Sequence, residues 1–204
     1  MLNKLLAFNR HPEFIRLAWW RFVVPRLVRK LGVKFGGGVS FMGTPVISMQ
    51  LSSHIIIGER VSLCSISEFT ALGVNHPAVL RTLRPNAIIE IGDDASICAA
   101  TVVRIGKLCL FGANVVISDT DFHAIKPENR RYNSKFEDIT VAPVFIGNNV
   151  FIGTGVIILK GVRIGDNSIV GAGLVVTKSI PDNCIAAGNP SRIIQRPVNW
   201  FRSE

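Results

Sequence analysis

The segment SDTDFH at residues 118–123 brings a histidine next to two carboxylates. Histidine changes its protonation near neutral pH more readily than other side chains, so His123 is a candidate general base. Asp121 or Asp119 could orient its ring, and the sequence leaves the choice between them open. The alternative is a histidine at a corner of the fold that packs against the loop after it and has no chemical role.

The other histidines and the basic residues are weaker evidence for a functional site. His11, His54 and His76 lack such neighbours and are expected at structural or surface positions. Because the four histidines form no HxxxH or HxxxxH pair, no metal site is predicted. A basic cluster near the C-terminus suits a phosphate-bearing ligand, although such residues are also common on a solvated surface. It comprises Lys178, Arg192 and Arg196.

The elements that must position these residues are indicated by a strict repeat, in which an apolar residue recurs at every sixth position from 146 to 176. A helix would repeat at 3.6 residues and an ordinary strand at 2, so neither explains the pattern. Six residues can form a short strand and a corner, and three such units close a coil of about eighteen residues. The chain is therefore predicted to be an all-β, parallel β-helix of hexapeptide repeats. The first apolar row is Ile146, Ile152, Ile158, Ile164, Val170 and Val176, and a second row is Val150, Val156, Val162, Ser168, Leu174 and Ile180.

The repeat is interrupted twice. It runs through Ile105, Phe111 and Ile117, and the next position in register is His123. It then fails until Ile146, which predicts a polar loop excursion at about 124–145. A second excursion is expected at about 73–87. Long loops in compact domains are usually functional or disordered, which strengthens the interest in His123.

Residues 1–35 are predicted to form a basic, amphipathic helical arm ahead of a β-helix domain at 36–196 and a short tail at 197–204. The arm holds eight Lys and Arg residues against a single Glu, and most of the net charge of +9. No apolar run approaches the ~20 residues of a membrane span. Contact with an anionic membrane surface and packing against its own or a neighbouring subunit remain open alternatives. Nucleic acid is not an expected partner, because such an arm would carry more exposed lysine.

Four cysteines are scattered without a CxxC pair. We therefore expect free thiols and a cytoplasmic protein, with peripheral contact at the inner face of the cell membrane if the arm binds lipid.

The block IGNNVFIGTGVIILKGVRIGDNSIVGAGLVVTKSIPDNCIAAGNPSRII at 146–194, together with DTDFH and the charged loop after it, resembles the hexapeptide-repeat acetyltransferases of the galactoside and maltose O-acetyltransferase group. The arm is similar to those of acetyltransferases that serve bacterial polysaccharide synthesis. The resemblance implies a left-handed β-helix, an exception to the right-handed crossover rule, and a homotrimer with active sites between subunits.

The resemblance also implies roles for particular residues. His123 matches the catalytic base. Acetyl-CoA would be the co-substrate, with Thr154 and Ala172 along its pantetheine arm. Thr177, Lys178 and Arg192 match positions near its adenosine and phosphate end.

Three features depart from the group. SDTDFH is one residue longer, SICAA at 96–100 lacks an acceptor-contacting asparagine, and the second tail arginine aligns with Gln195, next to Arg196.

The sequence thus predicts an acetyl-CoA-dependent O-acetyltransferase that acts on a sugar hydroxyl in surface polysaccharide biosynthesis. Because neither a cysteine nor a serine lies beside His123 in a GxSxG arrangement, direct transfer is favoured. N-acetylation of a nucleotide-linked amino sugar or an antibiotic is the alternative within the enzyme class. A catalytically inert β-helical scaffold is the alternative outside it.

Overall fold

A computed structural model of the chain describes residues 13–66, 77–92, 102–128, 130–131 and 135–195. The first twelve residues of the predicted arm, the SICAA segment, Arg196 and the tail at 197–204 lie outside the described residues.

The described chain begins with a helical arm and continues into short strands. The arm consists of α1 (Glu13–Ala18), a π-helical turn (Trp19–Val23) and α2 (Val24–Lys30), and a 3-10 turn (Phe136–Asp138) lies in a later loop. The strands are β1 (Lys34–Phe35), β2 (Ser40–Met42), β3 (Val46–Ser48), β4 (His54–Ile57), β5 (Ser62–Cys64), β6 (Val79–Arg81), β7 (Ile88–Ile91), β8 (Val102–Ile105), β9 (Leu110–Phe111), β10 (Val116–Ile117), β11 (Val144–Ile146), β12 (Phe151–Ile152), β13 (Ile157–Ile158), β14 (Arg163–Ile164), β15 (Ile169–Val170), β16 (Val175–Val176), β17 (Ile185–Ala187) and β18 (Arg192–Gln195).

From β9 to β16, consecutive strands fall in different sheets, and every third strand returns to the same sheet. Face A is the sheet β1-β4-β7-β8-β11-β14, face B contains β9-β12-β15-β17, and face C contains β10-β13-β16. The pairings within these stacks are parallel, and among the strands in the described part of the chain only β18 turns back antiparallel on β17. Along β11 to β16 the paired residues are eighteen positions apart, as in Ile146↔Ile164 and Ile158↔Val176. This is the three-sided parallel coil that the six-residue repeat predicts.

Both predicted apolar rows fill the interior of the coil. All twelve of their members are buried, and the most exposed of them, Ile146 and Ile180, reach only 4%. Ser168 takes an inward position because its hydroxyl donates to the Pro181 carbonyl at 2.7 Å. A buried hydroxyl with a partner avoids the cost of desolvation without compensation.

The register differs from the sequence pattern in two places upstream. The sequence indicates that 73–87 leaves the coil, but Val79–Arg81 forms β6, which pairs with β3 and buries Leu80 completely. The six-residue register of the sequence also shifts by two positions between Val103 and Ile105, and both residues point inward from β8. There, Ile91 pairs with Ile105, only fourteen positions later, so this coil is shorter than the others.

The helical arm packs against its own chain, at the first coil. Its buried residues recur at every fourth position: Arg16, Trp20, Val24 and Val28. Four residues overshoot one α-helical turn, and the wider π turn at Trp19–Val23 helps to keep the row on one side. Trp20, Val24 and Val28 join the core cluster, so the arm closes the end of the coil that would otherwise expose apolar residues.

The outward rows of the three faces differ in character. Face A presents four charged residues in a row of six, with an ion pair between Glu90 and Arg104 and the Arg163 guanidinium 4.3 Å from the Phe145 ring. The outward rows of β9 to β17 on face B and of β10 to β16 on face C are entirely aliphatic or aromatic. They comprise Leu110, Phe151, Ile169 and Ile185 on face B, and Val116, Ile157 and Val175 on face C.

Candidate active site

The loop that carries His123 leaves the coil at a narrow neck. Thr120 forms an antiparallel bridge with Val141, and the Ala142 amide donates to the Asp119 carbonyl at 2.9 Å. Between β8 and β11 the paired residues are forty-one positions apart instead of eighteen, so the excursion adds twenty-three residues. The neck thus begins before the range 124–145 that the sequence indicates, and Val144 is already in strand β11.

His123 is presented by a tight, strained turn. Its amide donates to the Asp121 carbonyl at 2.7 Å, and Phe122 between them has a φ of +61°. A three-residue turn of this kind with positive φ is rare and costs energy for any residue except glycine. The sequence puts His123 in register with the coil, but the coil register ends at Ile117, and His123 lies exposed on the loop. The neck hydrogen bonds explain the difference, because they divert the chain after Ser118.

The two aspartates of SDTDFH have separate tasks. Asp119 is buried, and one carboxylate oxygen accepts a hydrogen bond from the Val102 amide, which ties the neck to strand β8. Asp121 forms an ion pair with Lys160, with 2.7 Å between Oδ1 and Nζ. Among these described residues, no hydrogen bond joins the His123 imidazole to either carboxylate.

Lys160 joins the candidate site through this ion pair, and the sequence reasoning missed it. It follows β13 at the corner between faces C and A, and about three quarters of its side chain is buried, with 28% exposed. Lys178 follows β16 at the same corner of the next coil, because Ile158 pairs with Val176. The signal was present in the sequence, since two lysines separated by one full coil of eighteen residues must stack at one corner.

Thr154 and Ala172 stack at a different corner, between faces B and C. The Gly173 amide donates to the Thr154 carbonyl at 2.8 Å. A Cβ added at Gly153 would lie 2.6 Å from the Ala172 nitrogen, so glycine is required for this close approach. The corner therefore offers backbone edges with little side-chain bulk, along which a thin ligand could lie.

Arg192 extends this second corner toward the C-terminus. It lies on β18 and pairs with Ala187. Ala187 in turn lies above the Thr154 corner, since a Cβ at Gly171 would be 3.3 Å from the Ala187 Cβ. The structure thus brings Arg192 together with Thr154 and Ala172.

Exposed Thr177 and Lys178 lie with Lys160 and the His123 loop at the first corner. Within one subunit, the predicted residues consequently form two groups at opposite edges of face C.

Cys109 offers no alternative nucleophile. Its thiol is buried beside the Gly147 carbonyl at 3.0 Å, and burial raises the pKa of this thiol, with a further contribution from the charge of Asp166. A raised pKa removes the thiolate that nucleophilic attack needs. Cys64, Cys109 and Cys184 are free thiols.

Comparison with known proteins agrees with the geometry of the coil. The family model described as the hexapeptide repeat of succinyl-transferase matches residues 102–118 and 143–178. The galactoside O-acetyltransferase of Lactococcus lactis is 43% identical over 99 residues, which cover 48% of this chain and 45% of that protein. The resemblance to hexapeptide-repeat acetyltransferases is confirmed.

Two further proteins extend the comparison. The polysialic acid O-acetyltransferase of Escherichia coli is 40% identical over 102 residues, 50% of this chain and 32% of that one. The chain therefore spans less than half the length of these curated relatives. A variant of an N-acyltransferase from Bacillus cereus, solved with coenzyme A and dTDP-4-amino-4,6-dideoxyglucose, superposes with a TM-score of 0.62 at 20% identity, covering 84% of this chain and 88% of that one. At this identity the match shows a shared fold alone.

Proposed function

We propose that the protein is an acetyl-CoA-dependent O-acetyltransferase that acts on a sugar hydroxyl in surface polysaccharide biosynthesis. The observation that carries the proposal is His123, held exposed by a strained turn on the one large loop that interrupts the family's repeat between residues 102 and 178. Backbone strain clusters at functional sites. Corners of the coil such as Arg60 and Leu108 also have positive φ, so it is the exposed histidine on the long loop that gives the strain at Phe122 its interest. The galactoside and polysialic acid O-acetyltransferases among the relatives support a carbohydrate acceptor.

In the proposed reaction His123 accepts the proton of the acceptor hydroxyl. The hydroxyl oxygen then attacks the carbonyl carbon of the acetyl thioester, and the carbon–sulfur bond breaks. The thiolate of coenzyme A leaves and takes up the proton that His123 holds. Asp121, through its ion pair with Lys160, fixes the end of the turn that presents His123. General-base catalysis of this kind contributes about 10²- to 10⁴-fold.

Acetyl-CoA is proposed to lie along the corner that Thr154 and Ala172 form, with Arg192 at its phosphate end. Thr177 and Lys178 would complete the adenosine and phosphate contacts, although they lie at the other edge of face C. A bound donor could meet both groups if the Thr154 corner of one subunit faced the His123 loop of the next. The site is therefore proposed to form between subunits, in a homotrimer.

The outward rows of faces B and C support this assembly. Phe151 and Ile157 are 42% and 37% exposed in the single chain, and each lies in a continuous apolar row. Such rows, on two faces that meet at the Thr154 corner, are typical of surfaces that pack against another subunit. We also propose that the coil is left-handed, as in the family it resembles, and that the protein acts in the cytoplasm.

Replacing Ile157 with Lys should dissociate the trimer and abolish transfer together, because it buries a charge at the interface. Analytical ultracentrifugation measures the mass, and Arg104→Gln on the charged face is the matched control. A monomeric wild-type protein with full activity would contradict the shared site.

The proposed activity is tested by release of the coenzyme A thiol from acetyl-CoA. The acceptor panel contains galactosides, oligosaccharides of sialic acid and nucleotide-linked amino sugars. Acceptor-dependent release with hydroxyl sugars, and an O-acetyl product by mass spectrometry, is the expected result. Preference for an amine acceptor would identify the reaction as N-acetylation and not O-acetylation. Failure to bind coenzyme A at all would favour an inert scaffold.

A further inference from the structure

The helical arm has a second apolar face that the coil does not cover. Phe14, Leu17 and Phe22 are 70%, 45% and 55% exposed, although the same arm buries Trp20 and Val24 in the core. Because the buried row is docked on the first coil, the opposite side of the helix points away from it. Leu27 and Leu31 are also exposed, each three positions after a buried residue and therefore at the edge of the docked side.

Cationic side chains flank these exposed residues. Arg21, Arg26, Arg29 and Lys30 are all exposed, and from residue 13 to residue 35 the only acidic residue is Glu13. Two of these arginines have fixed partners: Arg26 donates to the Phe22 carbonyl within the arm, and the Arg29 guanidinium lies 4.0 Å from the ring of Phe35 in β1. Their charges therefore remain close to the helix.

We propose that this face of the arm docks the enzyme on the surface of an anionic lipid bilayer. Large exposed aromatic and aliphatic side chains on a helix, bordered by arginine and lysine, match the boundary between acyl chains and negatively charged headgroups. No helix in the described part of the chain is long and apolar enough to cross a bilayer. In this proposal the arm lies in the plane of the surface, with its buried row on the coil and its exposed side chains in the lipid.

The composition of the face favours lipid over a second copy of the chain. Faces B and C are the uncharged apolar rows suited to subunit packing, whereas the arm carries four exposed cations of one sign. Like charges would repel across a symmetric contact between two arms, but they are attracted to anionic lipid. In the proposed trimer, three arms at the same end of the assembly would bind the same bilayer at once, which strengthens binding. This multivalency is the one part of the inference that rests on the proposed function.

The test is sedimentation of the full chain with vesicles of phosphatidylcholine alone, or of phosphatidylcholine and phosphatidylglycerol in equal parts. We expect binding to the anionic vesicles only, weakened by salt. Phe14→Ser with Phe22→Ser should abolish it, and each of Arg21→Gln and Arg26→Gln should weaken it about fivefold per subunit, as expected for one interfacial charge. Leu51→Ser, which removes an exposed leucine of the coil, and Lys107→Gln are the matched controls and should bind as wild type.

Equal binding by wild type and the arm variants would overturn the proposal. So would a loss of the assembled mass in the arm variants without vesicles, which would make the arm a subunit contact. Acetyl transfer to a soluble acceptor is measured on the same samples and should be unchanged, because none of these residues lies in the proposed site. A chain that binds vesicles but lacks transferase activity would contradict the proposed function and leave the lipid surface standing.

Discussion

The loop at 119–142 and the coils at 144–176 are held in place by different kinds of contacts. In the coils, strands two or three residues long pair in register every eighteen positions, and their inward side chains are almost completely buried. In the loop, the chain is held by the Thr120–Val141 bridge and the Ala142–Asp119 hydrogen bond at the neck, by one ion pair and by a turn with positive φ. The coils have many equivalent contacts, whereas the described residues of the loop are held by fewer and more specific ones.

This difference separates stability from activity. A residue in the coils contributes by filling the interior, and its loss is felt by the whole stack. A residue in the loop contributes through where it holds His123, and its loss should leave the coil intact. Variants matched between the two regions can therefore show whether the separation holds.

The largest effect is expected from His123→Gln. Glutamine keeps the polarity but cannot accept and release the proton, so acetyl transfer should fall by about 10²- to 10⁴-fold. His123 is exposed, so the thermal midpoint should stay within about a degree or two of wild type. His54→Gln, at an exposed histidine on strand β4, is the matched control and should keep full activity. Substantial transfer by His123→Gln would remove His123 from the mechanism.

Ile152→Ala tests the coil half of the comparison. Ile152 is completely buried, and truncation of such a residue costs about 2–5 kcal/mol of unfolding free energy through lost burial and the cavity left behind. Ile125→Ala in the loop, where the side chain is 60% exposed, should change stability by less than about 0.5 kcal/mol. Denaturant unfolding at one protein concentration measures both. Equal costs at the two sites would mean that the loop is part of the cooperative core.

The same difference explains what could be predicted from sequence. The coil is predictable because its contacts repeat: one row from Ile146 to Val176 determines which side chains face inward and where glycine must lie. The structure of the loop could not be predicted in this way, because the six-residue register gives no information about residues beyond the point where the repeat ends. Extending it from Ile117 to His123 puts the histidine inside the coil, where the chain in fact buries Asp119 and turns away. The ion pair between Asp121 and Lys160 joins residues thirty-nine positions apart and has no local signature.

Lys160 and Lys178 test the difference between the loop and the coils, because they lie at one corner but have different proposed roles. Lys160 is proposed to hold the loop through Asp121, and Lys178 is proposed to contact the bound acetyl-CoA. Lys160→Met removes the partner of Asp121 and should lower kcat about tenfold, the range expected for a coupled pair. Lys178→Met should instead raise KM for acetyl-CoA, with kcat nearly unchanged, because the proposed contact is with the bound donor in both ground and transition states.

A double-mutant cycle tests the coupling of Lys160 to the loop. Asp121→Asn should reduce kcat as much as Lys160→Met does, and the double variant should be no slower than either, since each single change already breaks the ion pair. Lys160→Arg, which keeps the charge, should recover most of the rate. If the two losses simply multiplied, Lys160 would not act through Asp121.

The smallest effect is expected on the charged outward row of the coil. Glu90 and Arg104 form an ion pair with 2.6 Å between their nearest atoms, but their side chains are 38% and 48% exposed. Water screens such a pair, and an exposed ion pair contributes at most about 1 kcal/mol. Glu90→Gln should therefore shift the unfolding free energy by about 0.5 kcal/mol or less, and the shift should shrink further in high salt. Denaturant unfolding at low and high salt measures it. A loss comparable to that of Ile152→Ala would mean that the coil depends on its outer charges and not only on its interior, and the contrast with the loop would then need a different physical basis.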